Sequence, residues 1–133
     1  MSDLTPFRVI IAGSRSFNDY PMLQFCCDRI LRNVRSQLPI EVISGNARGA
    51  DRLGIKYAHH RNFKTMIMNA DWDAEPRRAG YLRNVEMSKV ADTLIAFWDR
   101  KSNGTRHMLN IMHKANKPYR MVDLTSGKIH TPS

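Results

Sequence analysis

The sequence has little cysteine, no long apolar run and no block of like charge, and each lack removes a class of protein. Its two cysteines are neighbours, Cys26 and Cys27. Adjacent helical residues point about 100° apart and do not face each other for a bridge. A disulfide framework is therefore excluded, and a reducing, cytoplasmic setting is expected. No apolar stretch approaches the roughly 20 residues of a membrane span, and no membrane partner is expected. Met1 to Pro6 shows neither the basic nor the apolar segment of a secretory leader. Seven glycines and six prolines in 133 residues exclude collagen, and an apolar fraction of 42% excludes a disordered chain. The histidines, His59, His60, His107, His113 and His130, offer no metal spacing, since His107 and His113 lie six apart on one helical pattern and off one face. Neither a metal nor a cofactor is expected. No Gly-x-Ser-x-Gly elbow, Walker A sequence or spaced-glycine dinucleotide fingerprint occurs, which disfavours a serine hydrolase and the standard phosphate loops.

What is present begins with charge. Lys and Arg number 21 against 12 Asp and Glu, a net charge of +9. Such a basic protein suits nucleotides, nucleic acid or an acidic protein, although basic residues spread through a chain also serve solubility.

Short apolar runs alternate with helical patterns. Phe7 to Ala12, Ile40 to Ile43, Phe63 to Met68, Thr93 to Phe97 and Pro118 to Val122 read as strands. Asn18 or Asp19 can cap a first helix, with Pro21 in its first turn. Leu23, Cys26, Ile30, Val34 and Leu38 make its apolar face. A second helix runs from Gly49 to about Arg61, a third from about Ala79 to Lys89, and a fourth follows Gly104. Met108 and Met112 on the fourth suit a core or an interface. Residues 123–133 read as a loose tail. This β-α alternation predicts one α/β domain over residues 1–133, with its core at about 7–122. Its Rossmann-like parallel sheet would have about five strands and helices on both faces.

The loops entering strands are plain, and those leaving strands are not. Gly13-Ser14-Arg15-Ser16-Phe17, Ser44 to Asp51, Asp71-Trp72-Asp73 and Trp98 to Thr105 all leave strands. In a parallel sheet they gather at the carboxyl edge, where ligands bind. Gly45 and Gly49 flank a turn that opens a helix, a setting in which backbone N–H groups meet an anion, with Arg48 as a charged donor. Ser102-Asn103-Gly104-Thr105 repeats that logic, and Thr105 suits a phosphate contact or a helix cap alike. Arg15, Arg48 and Arg83 are the basic candidates. Trp72 and Trp98 suit a stacked base or a core plug equally.

These loops, in this order, resemble the SLOG superfamily, named for the DNA-processing protein DprA (Smf) and the LOG phosphoribohydrolases, and within it the YspA, cpYpsA-related branch. Ala12 to Phe17, Ser44 to Leu53, Ala70-Asp71-Trp72, Arg83 to Met87 and Ala91 to Thr105 carry the resemblance, which extends from about Phe7 to Val122. It implies a nucleotide or nucleotide-derived ligand, ADP-ribose-like or a related signal, bound for sensing, sequestering or processing. The ligand site implied is Gly13, Ser14, Arg15, Ser44, Gly45, Arg48, Gly49, Asp51, Arg83, Asn84, Ser102, Gly104 and Thr105. It also implies self-association. LOG enzymes carry a catalytic Glu three residues after the Thr of their last loop, and here that position is Met108. A methionine can neither steady an oxocarbenium ion nor activate water. Asp51 and Glu86 are the carboxylates left for phosphoribohydrolase chemistry. The second loop is also similar to that of DprA, which makes single-stranded nucleic acid the alternative partner.

Overall fold

The apolar runs become the strands of one sheet in the computed structural model, which describes residues 4–131. In chain order the elements are β1 (Phe7–Gly13), α1 (Tyr20–Arg35), β2 (Ile40–Ser44), α2 (Ala50–His60), β3 (Lys64–Ile67), α3 (Ala79–Val90), β4 (Thr93–Trp98), α4 (Asn103–Lys114), β5 (Tyr119–Asp123) and β6 (Ile129–His130). The strand order is β3-β2-β1-β4-β5-β6. The first five are parallel, and β6 runs antiparallel to β5.

The central strands are buried on both faces, which is why they read as continuous apolar runs. Val9 and Ile11 of β1 face a core with Leu23, Cys27 and Leu31 of α1 and Tyr57 of α2. Ile10 and Ala12 face the opposite core, built from Met87 of α3 and Met108 and Met112 of α4. Helices thus cover both faces. Met108 and Met112 are core residues, and α4 presents neither at the surface.

Local signals set most boundaries. Asp19 Oδ1 accepts the Met22 N–H at 3.1 Å and caps α1, with Pro21 in the first turn. Leu38, placed above on the face of α1, lies beyond it. The helix stops at Arg35 because Pro39 disfavours helical geometry just before it, and the chain turns with the Gln37 and Leu38 N–H groups on the Val34 carbonyl. The loose tail expected after Val122 is instead a hairpin as far as His130. Asp123 Oδ1 accepts the Thr125 N–H, Gly127 turns with φ +75°, and Met121 and Val122 pair with His130 and Ile129.

The chain leaves β1 in one direction toward β2 and β3, then crosses over to β4 on the other side of β1. The switch point therefore falls between the carboxyl ends of β1 and β4, where Gly13 lies opposite Phe97 and a crevice opens. A Cβ on Gly13 would stand 2.1 Å from the Phe97 carbonyl oxygen, so this end of the sheet closes only around glycine.

Candidate functional site

Three adjoining cavities occupy that carboxyl edge, with volumes of about 250, 260 and 200 Å³. Arg15 and Arg83 line all three. The first, at the switch point, has a thioether floor of Met87 and Met108 and walls that include Asp51, Asn84, Gly104 and Thr105. The second is lined by Gly45, Asn46, Arg48, Arg52, Asn69 and Trp72, among others. The third lies between Trp72, Arg77 and Tyr81.

Arg83 holds the centre. It is half-buried on α3, and its Nη1 donates to the Gly45 carbonyl at 2.7 Å while its Nε donates to Asn84 Oδ1 at 3.2 Å. Gly45 has to be small for this, since a Cβ there would lie 2.4 Å from Nη1. Burial, and secondarily the nearby Arg15 charge, lower the Arg83 pKa from the usual arginine value, with Asp51 opposing. Asn84 is buried, and its amide nitrogen donates to the Gly104 carbonyl at 3.3 Å, tying α3 to the start of α4.

Among the described residues, Asp51 is the one carboxylate lining these cavities. It is 5% exposed, and its Oδ2 accepts the Ala47 N–H at 3.2 Å, which shapes the loop before α2. Burial pushes its pKa up to about 6, against the pull of that N–H and of Arg83. Gly49 sits at φ +78°, and a Cβ there would approach the Ser14 carbonyl oxygen to 2.3 Å. Its glycine is thus required by the contact between the first two loops. Gly104 differs: a Cβ there would meet nothing within 4 Å. The fold gives no steric reason for that glycine, and the space beside it is free for a ligand. The first turn of α4 also leaves N–H groups without helical partners. Asp99 fixes that turn, its Oδ1 accepting the Lys101 and Ser102 N–H groups at 2.8 Å each, and those two bonds hold its pKa below the usual carboxylate range.

The predicted residues divide three ways. Gly13, Arg15, Gly45, Arg48, Asp51, Trp72, Arg83, Asn84, Ser102, Gly104 and Thr105 line the cavities. Ser14, Ser44 and Gly49 lie in the same loops without lining them. Ser14 is buried, and its Oγ accepts the Asp99 N–H at 3.0 Å. Ser44 is buried and donates to the Asp51 carbonyl at 3.0 Å. Trp98 and Glu86 fall outside. The Trp98 Nε1 donates to the Ser102 carbonyl at 3.0 Å, and its ring lines a separate hollow with Tyr119 and Met121. Glu86 is exposed on α3 beside Lys89, 3.3 Å away. The sequence reading missed Arg52, Asn69, Arg77 and Tyr81. Arg52 stands in the Ser44 to Leu53 motif beside Asp51 without having been singled out, whereas Asn69, Arg77 and Tyr81 belong to no spaced motif and reach the cleft through the strand order. Among the described residues, no group of three His, Cys, Asp or Glu side chains is placed to hold a metal ion.

Fold and cleft together define a Rossmann-like α/β domain with a cationic, glycine-walled crevice at its switch point. The chain belongs to the YspA, cpYpsA-related SLOG family, whose model matches residues 7–74. It is 35% identical over 117 residues to the Gene 61 protein of Mycobacterium phage D29, covering 84% of this chain and 92% of that one. Its fold resembles the X-ray structure of DNA processing protein A (DprA) from Streptococcus pneumoniae, with a TM-score of 0.65 at 13% identity over 87% of this chain. The chain spans half the length of that protein.

Proposed function

We propose that the cleft binds a nucleotide or nucleotide-derived anion, with phosphate between Arg15, Arg83 and the first turn of α4. The observation that carries this reading is a charge imbalance. Five arginines (Arg15, Arg48, Arg52, Arg77 and Arg83) line the cavities, and none makes an ion pair among the described residues. Guanidinium groups suit bidentate phosphate contacts, and the half-exposed Trp72 and Tyr81 rings offer faces for a base. The working setting is a reducing cytosol, where the Cys26 and Cys27 thiols stay free. The domain acts as a binder or sensor. Met108, 1% exposed at the cleft floor, stands where LOG enzymes carry their catalytic glutamate, so the carboxylate that phosphoribohydrolase chemistry uses at that position has no counterpart here.

A thermal-shift panel of nucleoside monophosphates, ADP-ribose and cyclic nucleotides tests the reading. A binder raises Tm by mass action, and a flat response to all at millimolar concentration overturns it. Chromatography of the same mixtures should show no free base. Self-association, implied by the family, is tested by light scattering at micromolar concentration.

A further inference from the structure

The partition of the cleft says more about ligand size than its charge does. Each cavity alone falls below the roughly 300–1,000 Å³ of small-molecule sites, and the three together fall within it. Because Arg15 and Arg83 line all three, one ligand group held by this pair can extend into every lobe. The lobes differ in chemistry. One pairs an apolar thioether floor with the Asn84 amide, which suits a base or sugar. The next has Arg48 and Arg52 and, among the described residues, no carboxylate, which suits a phosphate. The last is edged by the Trp72 and Tyr81 rings, 50% and 45% exposed, which suits a stacked base.

We infer that the site takes two nucleoside units joined through a phosphate at Arg15 and Arg83, with a terminal phosphate at Arg48 and Arg52. The ligand is then a phosphorylated dinucleotide, either free or at the end of a strand. This rests on the nucleotide reading above and narrows it. A nucleoside monophosphate supplies one base and one phosphate, and leaves at least one aromatic or cationic lobe unfilled.

Calorimetric titration of the whole chain tests it with AMP, a 5′-phosphorylated adenosine dinucleotide, the same dinucleotide without its terminal phosphate, and a 5′-phosphorylated single-stranded DNA hexamer. The phosphorylated dinucleotide should bind at least about tenfold more tightly than AMP or the unphosphorylated dinucleotide. Arg52 is exposed in the first turn of α2, so Arg52→Ala should leave Tm unchanged. That variant should weaken the phosphorylated dinucleotide about tenfold and leave the unphosphorylated one unaffected. Equal affinity for the hexamer identifies a strand end, and preference for the dinucleotide identifies a free ligand; either upholds the inference. AMP binding as tightly as the phosphorylated dinucleotide, or Arg52→Ala weakening both dinucleotides alike, overturns it while the nucleotide reading stands. Binding of none of the four removes both.

Discussion

Two arginine clusters on this domain use the same side chain to opposite ends. Between α1 and α2, Arg61 donates to both oxygens of Asp28 at 3.0 and 2.6 Å, Arg35 reaches the same carboxylate at 3.3 Å, and the Tyr57 hydroxyl donates to it at 2.7 Å. The two guanidiniums share this one carboxylate, so each is paired within the fold, and the cluster fastens two helices together. At the carboxyl edge, Arg83 donates to a carbonyl and an amide, and Arg15, Arg48, Arg52 and Arg77 have no carboxylate within ion-pair distance among the described residues. Asp51 beside them is held by a backbone N–H. A compensated guanidinium contributes to stability, and an uncompensated one in a crevice is available to a ligand anion.

Removing the centre of each cluster sharpens the contrast most. Arg83→Ala should weaken a phosphate ligand by about 1.5–3 kcal/mol, or roughly 10- to 150-fold, with a much smaller change in Tm. Asp28→Ala should do the reverse. It takes the acceptor from Arg61, Arg35 and the buried Tyr57 hydroxyl, and should cost about 2–3 kcal/mol, lowering Tm by roughly 10 °C with ligand affinity intact. Titrations and melting curves on both variants decide, and the contrast fails if either variant moves both quantities equally.

The two carboxylates should also give opposite pH signatures. Asp51 has a folded-state pKa of about 6, above its unfolded value of about 4. The folded state binds its proton more tightly, so stability falls as pH rises from about 4 to 6. Asp51→Asn should abolish that slope, on the order of 2 kcal/mol across this window, as read by urea unfolding. Anion affinity should rise as the pH drops through about 6, because protonation removes the negative charge from the crevice. Asp28 has a lowered pKa, chiefly from its Arg61 hydrogen bond. Its contribution is present above its unfolded value of about 4 and is lost as pH falls further. A pH-independent difference between the parent and Asp51→Asn would remove the first half of this picture.

The smallest effect belongs to Arg48, which is exposed and lines one lobe. Arg48→Ala should stay within about 0.5 kcal/mol of the parent in stability and lose about three- to tenfold in phosphate affinity. That loss should shrink with added salt, since exposed charges are screened. Binding equal to the parent at low salt would place this side chain outside the ligand's reach.

The legible parts of the site were those in which a glycine or arginine stands in a loop leaving a strand. Arg15, Gly45 and Arg48 were found this way because the chain's β-α alternation fixes which loops share an edge, and Arg83 because it stands one turn into the helix that follows such a loop. Gly49 was found for one reason and serves another: its positive φ and its approach to the Ser14 carbonyl are packing demands. Trp98 looked like Trp72 in sequence. Strand alternation puts the Trp98 side chain on the Leu94 and Ala96 face of β4, where it lines the separate hollow with Tyr119 and Met121. The hairpin after Val122 had a signal in Asp123, Thr125 and Gly127, but a two-residue strand has too little pattern to announce itself.

The α/β alternation, the buried central strands and the identity of the edge that carries the glycine and arginine loops are written in the order of residues along the chain. Those follow from local periodicity and from the rule that parallel strands put their leaving loops on one side. The folded chain adds that β1 and β4 are neighbours, that Arg83 on α3 reaches the Gly45 carbonyl, and that Arg77 and Tyr81 join the cleft. These depend on strand order and on which way each helix crosses the sheet. Contacts between residues 38 positions apart, as Gly45 and Arg83 are, leave no period in the chain that encodes them.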